Sequence, residues 1–89
     1  MGYRATGRVQ GVGFRAYAVR LAHDCGVVGW VRNEADGTLR AEATGTDSAL
    51  QSFAAGLRMG PPGARVERLD AVALAEVPFP QTSDFEVED

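Results

Sequence analysis

Between Val9 and Phe14 the apolar residues of this chain stop recurring at every second position and begin to recur at helical spacing. From Tyr3 to Val9, Tyr3, Ala5, Gly7 and Val9 fall on one face and Arg4, Thr6 and Arg8 on the other, the pattern of a half-buried strand. Phe14, Tyr17, Ala18, Leu21, Ala22 and Cys25 then follow the i, i+3, i+4, i+7, i+8, i+11 spacing of an amphipathic helix, which Gly26 stops. The turnover takes place in a short loop carrying Gly11 and Gly13. Arg15 falls in the first helical turn, where unpaired N–H groups and the macrodipole disfavour a cation. Its presence there is explained if the helix start, the loop amides and the guanidinium converge on one anion, a phosphate or a carboxylate.

The remaining pattern repeats this strand–helix unit with one strand added. Val27 to Asn33 is rich in β-formers, Glu34-Ala35-Asp36-Gly37 supplies turn chemistry, and Thr38 to Thr44 alternates with Leu39, Ala41 and Ala43 inward, so a hairpin is expected. Thr46, Asp47 and Ser48 offer N-caps for a second helix with Leu50, Phe53, Ala54 and Leu57 on its buried stripe. Gly60-Pro61-Pro62-Gly63 ends that helix. Val66, Leu69, Val72, Leu74 and Val77 mark a further strand whose alternation slips near Arg68, the signature of a bulge. Phe85 and Val87 predict a short fifth strand capping a sheet edge. The order βαββαβ is the split-βαβ, ferredoxin-like α+β pattern: an antiparallel sheet with both helices on one face.

With 89 residues, the chain is expected to form one domain over 1–89, near the size at which one core suffices. No apolar run is long enough to span a bilayer and no signal pattern follows Met1, so a cytoplasmic protein is expected, with no membrane partner. A net charge of −3 argues against a nucleic acid held by a basic surface. Cys25 is the single cysteine and His23 the single histidine, so no disulfide and no metal centre are expected. Cys25 reads as core, His23 as a surface residue near a helix C-terminus, and Trp30 as packing in or on the sheet.

In the split-βαβ topology the first two strands run parallel with the third between them, so their C-terminal ends share one edge of the sheet. The glycine loop leaves the first strand there and Asn33 ends the second. Two strand spacings separate these backbones by about 9–10 Å, room for a phosphate and one water. Alone, the loop is weak evidence: it has neither a Walker A sequence nor the G-x-G-x-x-G spacing. Asn33 alone reads better as a turn residue at a strand end.

Two runs are more specific. Gly7-Arg8-Val9-Gln10-Gly11-Val12-Gly13-Phe14-Arg15 resembles the first signature of acylphosphatases, and Gly29-Trp30-Val31-Arg32-Asn33-Glu34-Ala35-Asp36-Gly37 resembles the second. Their order and separation match, as do Gly60-Pro61-Pro62 and Ala64-Arg65-Val66, so the resemblance covers nearly the whole chain. Leu39-Arg40 and the small Ala5 depart from the usual pattern, away from the site. The resemblance implies a small free-standing enzyme that cleaves the carboxyl–phosphate bond of acyl phosphates, giving carboxylate and inorganic phosphate. It implies that Arg15 binds phosphate, that Asn33 positions the attacking water, and that the amides from Gln10 through Gly11, Val12 and Gly13 to Phe14 cradle the phosphoryl oxygens.

The chemistry fits the residues. An acyl phosphate has a good leaving group, and phosphoryl transfer asks mainly for positioning and charge stabilisation. The substrate phosphate can accept the water's proton, so no base, metal or cofactor is expected. Inorganic phosphate or sulfate is expected to compete as an anion, and the protein is expected to be a monomer. Three rivals are a specialised acylphosphatase-like domain handling carbamoyl phosphate, like that at the start of carbamoyl-transferring hydrogenase-maturation proteins, a non-catalytic small-ligand regulatory module, and an RNA-recognition domain. The last needs aromatic and basic residues on the open sheet face.

Overall fold

The computed structural model describes residues 1–73 and 84–88. In chain order the elements are β1 (Gly2–Arg8), α1 (Phe14–Cys25), β2 (Val28–Asn33), β3 (Leu39–Thr44), α2 (Asp47–Met59), β4 (Arg65–Val72) and β5 (Phe85–Val87). The sheet order is β4-β1-β3-β2-β5. β1–β3, β1–β4 and β2–β3 are antiparallel, as the pattern predicts. The fifth strand makes the sheet mixed, because β5 pairs parallel with β2, Gly29 opposite Phe85 and Val31 opposite Val87. The β4 bulge lies one residue from the expected place: Thr6 pairs with Arg68 and Gly7 with Val66, which leaves Glu67 as the extra residue. The expectation for Leu74 and Val77 lies outside the described residues.

Alternation decides the faces. Tyr3, Ala5, Val31, Leu39, Ala41 and Ala43 point from the strands into a core beneath the helices. α1 covers β2 and β5, and α2 covers β1 and β4. Phe53 of α2 is fully buried and meets Tyr3 and Phe85 edge-on, with ring centroids at 5.6 and 5.4 Å, which ties β1, α2 and β5 into one cluster. The helices meet where Gly56 lacks a side chain. A Cβ there would lie 2.5 Å from the Leu21 methyls, and the Tyr17 hydroxyl donates to Gly56 O at 2.8 Å. Cys25 is half-buried on this stripe, and burial, with Asp24 beside it, raises its thiol pKa. Gly29 allows β2 and β3 to close up: at φ 147°, its Cβ would stand 1.9 Å from Glu42 O.

The opposite face of the sheet is open. Trp30 lies there, with Arg32 over its ring at 4.8 Å and Arg40 at 5.9 Å. This face therefore has an aromatic and basic residues, but each of the two arginines is paired with a carboxylate: Arg32 with Glu34 at 3.0 Å and Arg40 with Glu42 at 3.4 Å. His23, at the end of α1, reaches β5's entrance, with Nε2 2.6 Å from Asp84 Oδ1. The sequence reading of a surface histidine did not include that partner.

Candidate active site

The edge of the sheet where β1 and β2 end carries a pocket of about 380 Å³. Its wall is formed by Val9, the loop glycines Gly11 and Gly13, and Phe14, Arg15 and Ala16 at the start of α1, facing Asn33 and Val87. Four of the six expected phosphate-binding residues, Gly11, Gly13, Phe14 and Arg15, line it, together with Asn33. Gln10 and Val12 are not lining residues. Val12 packs partly buried against the core. The Gln10 side chain turns toward the β2–β3 turn, with Nε2 donating to Glu34 O at 2.8 Å and Thr38 O at 3.0 Å.

The loop glycines are required by backbone conformation. Gly11 has φ 73° and Gly13 φ 77°, in the left-handed region that costs other residues roughly 1–2 kcal/mol. Nothing lies within 4 Å of a Cβ built at either position, so space is not the constraint. Left-handed residues in a tight loop direct successive amides to one concave side, the geometry of an anion nest.

The two helix starts among the described residues differ. At α2, Thr46 Oγ1 accepts from Ala49 N at 3.1 Å and Asp47 sits in the first turn, so the exposed amides and the dipole are answered from within the chain. At α1 the N-cap is Gly13, which makes no side-chain cap, and the first turn holds no acidic residue. The second helical residue is Arg15, exposed and directed to the same pocket. An anion placed there would meet both the amides and a guanidinium.

Asn33 closes the other side. It is the last residue of β2 and stands opposite Leu39, which also pairs across β3 to Ala5 of β1. Its Oδ1 is buried and has no hydrogen-bond partner in the protein, the one such side-chain atom among the described residues. A partnerless buried acceptor costs about 1–3 kcal/mol. A half-turn about χ2 exchanges the amide oxygen and nitrogen, so either can be offered to a molecule in the pocket. The turn beyond it is firmly built. Glu34 N donates to Thr38 O at 2.8 Å, and Asp36 Oδ1 accepts from the Thr38 hydroxyl at 2.7 Å and its amide at 3.0 Å. Those bonds from Thr38 hold the Asp36 carboxyl below its ordinary pKa.

Sequence reading missed Val87, because a parallel partner for β2 leaves no local trace in the residues of β2. The alternation Phe85-x-Val87 was visible, but not the strand it joins. No helix of the described residues is long and apolar enough to cross a membrane.

Comparison with known proteins gives the family and agrees with the fold. The family model described as Acylphosphatase matches residues 1–87. An acylphosphatase of Nitratidesulfovibrio vulgaris is 48% identical over 86 residues, covering 93% of this chain and 85% of that protein. The crystal structure of the Bacillus subtilis acylphosphatase superposes with a TM-score of 0.83 at 32% identity, covering 99% of this chain and 98% of that one. The chain also resembles part of a larger protein, HypF of T. kodakarensis. There the TM-score is 0.84 at 26% identity, with 99% of this chain covered and 11% of that chain.

Proposed function

The chain belongs to the acylphosphatase family and is an enzyme that hydrolyses acyl phosphates, and from that premise we propose how its own residues carry the reaction. The phosphoryl group of the substrate lies against the loop between Gln10 and Phe14, at the amide-rich start of α1. Arg15 binds two of its oxygens as a planar fork, which a point charge cannot do. The acyl side of the substrate extends outward past Val87. Asn33 holds a water on the face of phosphorus opposite the acyl oxygen. The water oxygen bonds to phosphorus as the phosphorus–acyl oxygen bond breaks. The carboxylate leaves with that electron pair, and the water's proton passes to a phosphoryl oxygen.

Charge spreads over the equatorial oxygens in such a transition state, and donors already fixed in place stabilise it without reorganisation. Arg15 and the loop amides are such donors, so the reading includes catalysis without a metal. The observation that carries the assignment is the meeting of three features in one pocket: a helix start without a side-chain cap, Arg15, and an Asn33 Oδ1 without a protein partner. One domain over 1–89 carries the activity as a monomer, with small anions and not nucleic acid as its ligands. A cytoplasmic setting fits the free thiol of Cys25.

The test is hydrolysis of benzoyl phosphate against carbamoyl phosphate by the wild type, Arg15→Ala and Asn33→Ala. Turnover of benzoyl phosphate that survives both substitutions would overturn the residue roles. Turnover of carbamoyl phosphate alone would point to the specialised carbamoyl-handling reading.

A further inference from the structure

The proposed mechanism requires Asn33 and the phosphate cradle to keep a fixed separation, yet they are borne by strands that do not touch. β3 lies between β1 and β2. The β1–β3 ladder ends at the Ala5–Leu39 pair, so from Thr6 onward β1 has no β3 neighbour on that side. Among the described residues, no backbone hydrogen bond outside the helices and strands joins 9–14 to 33–38. Among the described residues, the hydrogen bonds that join them come from one side chain. Gln10 Nε2 donates one hydrogen to Glu34 O, the residue after Asn33, and the other to Thr38 O, the residue before β3. Thr38 O also accepts from Glu34 N, so both carbonyls belong to the closed β2–β3 turn.

We propose that the Gln10 carboxamide is a positioning residue: it pins the turn that follows Asn33 to the phosphate cradle and so sets the distance from the attacking water to phosphorus. It does not touch substrate through its side chain. A primary amide suits the task, because one nitrogen supplies two donors to two carbonyls at different points of the chain. Glutamate at this position has the same length but offers only acceptors to two acceptors, and asparagine is one methylene shorter. The inference rests on the water-positioning role given to Asn33.

The test is Gln10→Met, which keeps the backbone amide and nearly the same shape while removing both donors, measured alone and together with Asn33→Ala. Misplacement by about 1 Å can cost about 100-fold, so a kcat loss of about 10-fold to 100-fold is expected for Gln10→Met. The inhibition constant for inorganic phosphate should stay within about threefold, since Arg15 and the loop amides remain. A rise in thermal midpoint with added phosphate checks that the variant is folded with an intact cradle. On the Asn33→Ala background, Gln10→Met should cost no further kcat, because the group it positions is gone. Wild-type kcat for Gln10→Met overturns the proposal. So does an equal further loss on the Asn33→Ala background, or a fall in phosphate affinity matching the fall in kcat. If Asn33→Ala itself keeps full kcat, the role of Asn33 fails first, and the proposal falls with it.

Discussion

Replacing Asn33 by alanine should leave the stability nearly unchanged and the protein nearly inactive. Oδ1 makes no hydrogen bond within the protein, and Asn33 lines the pocket, where water can satisfy that oxygen, so its removal breaks no bond of the fold. The rest of the side chain is half-buried, so its removal forfeits only a handful of van der Waals atom pairs at about 0.1–0.2 kcal/mol each. The change should therefore stay within about 0.5 kcal/mol. For a chain of 89 residues this moves the thermal midpoint by at most roughly 2–4 °C. Turnover should fall by about 100-fold, the effect of removing one positioned transition-state group. Circular-dichroism melts without phosphate and initial-rate hydrolysis of benzoyl phosphate measure the two effects on one preparation. Phosphate at about 100 times its Kd should stabilise both proteins similarly, by about 2.7 kcal/mol each if their affinities match. A midpoint several degrees below wild type would show that the amide holds the β2–β3 turn together. Turnover within about threefold of wild type would show that it does not direct the water.

Other substitutions probe the remaining parts. Arg15→Lys keeps a charge but loses the fork, so phosphate inhibition should weaken and turnover drop by about 10-fold or more, while the melt moves by under about 0.5 kcal/mol; a kinetically silent Lys variant contradicts bidentate binding. Gly29→Ala should fail to yield folded protein at ordinary growth temperature, because its Cβ would lie 1.9 Å from Glu42 O; soluble expression with a wild-type melt disproves the close approach. The Asp84 carboxyl is held below its ordinary pKa by the Phe85 N–H and then by His23, so its contribution is present above about pH 4 and is lost as pH falls through the lower folded value. Asp84→Ala should therefore be less stable than wild type at pH 6, with the gap narrowing as acid is added. A gap that widens toward pH 3 would reverse the sign of this argument.

The parts of the fold set by neighbours in sequence were legible in it. The change of apolar period at the glycine loop located β1 and α1, and Thr46 located the start of α2, because alternation, helical spacing and capping are local. Arg15 stood out because it contradicts its local dipole, and Gly11 and Gly13 because loops of this kind need left-handed residues. What escaped was set by distance. Gln10 reads as one loop residue among several, and its bonds to Glu34 and Thr38 span 24 and 28 residues. The partnerless state of Asn33 Oδ1 belongs to a pocket that Asn33 shares with Val9 and Val87, residues far from it in the chain. β5 pairs with β2 while the ring of its Phe85 packs on Phe53, and no periodicity within either segment encodes that pairing.

The pocket draws its walls from Val9 at one end of the sequence to Val87 near the other, and its sheet places the first strand between the third and the fourth. No stretch of the chain contains a local version of the site. Helices form in about a microsecond, whereas pairings between remote strands wait on closure of long loops. The pocket therefore matures only with the slowest of these closures. Any excursion that lifts β5 from β2 removes Val87 from the wall and draws Phe85 away from Phe53. Catalytic competence is thus a more demanding condition than compactness.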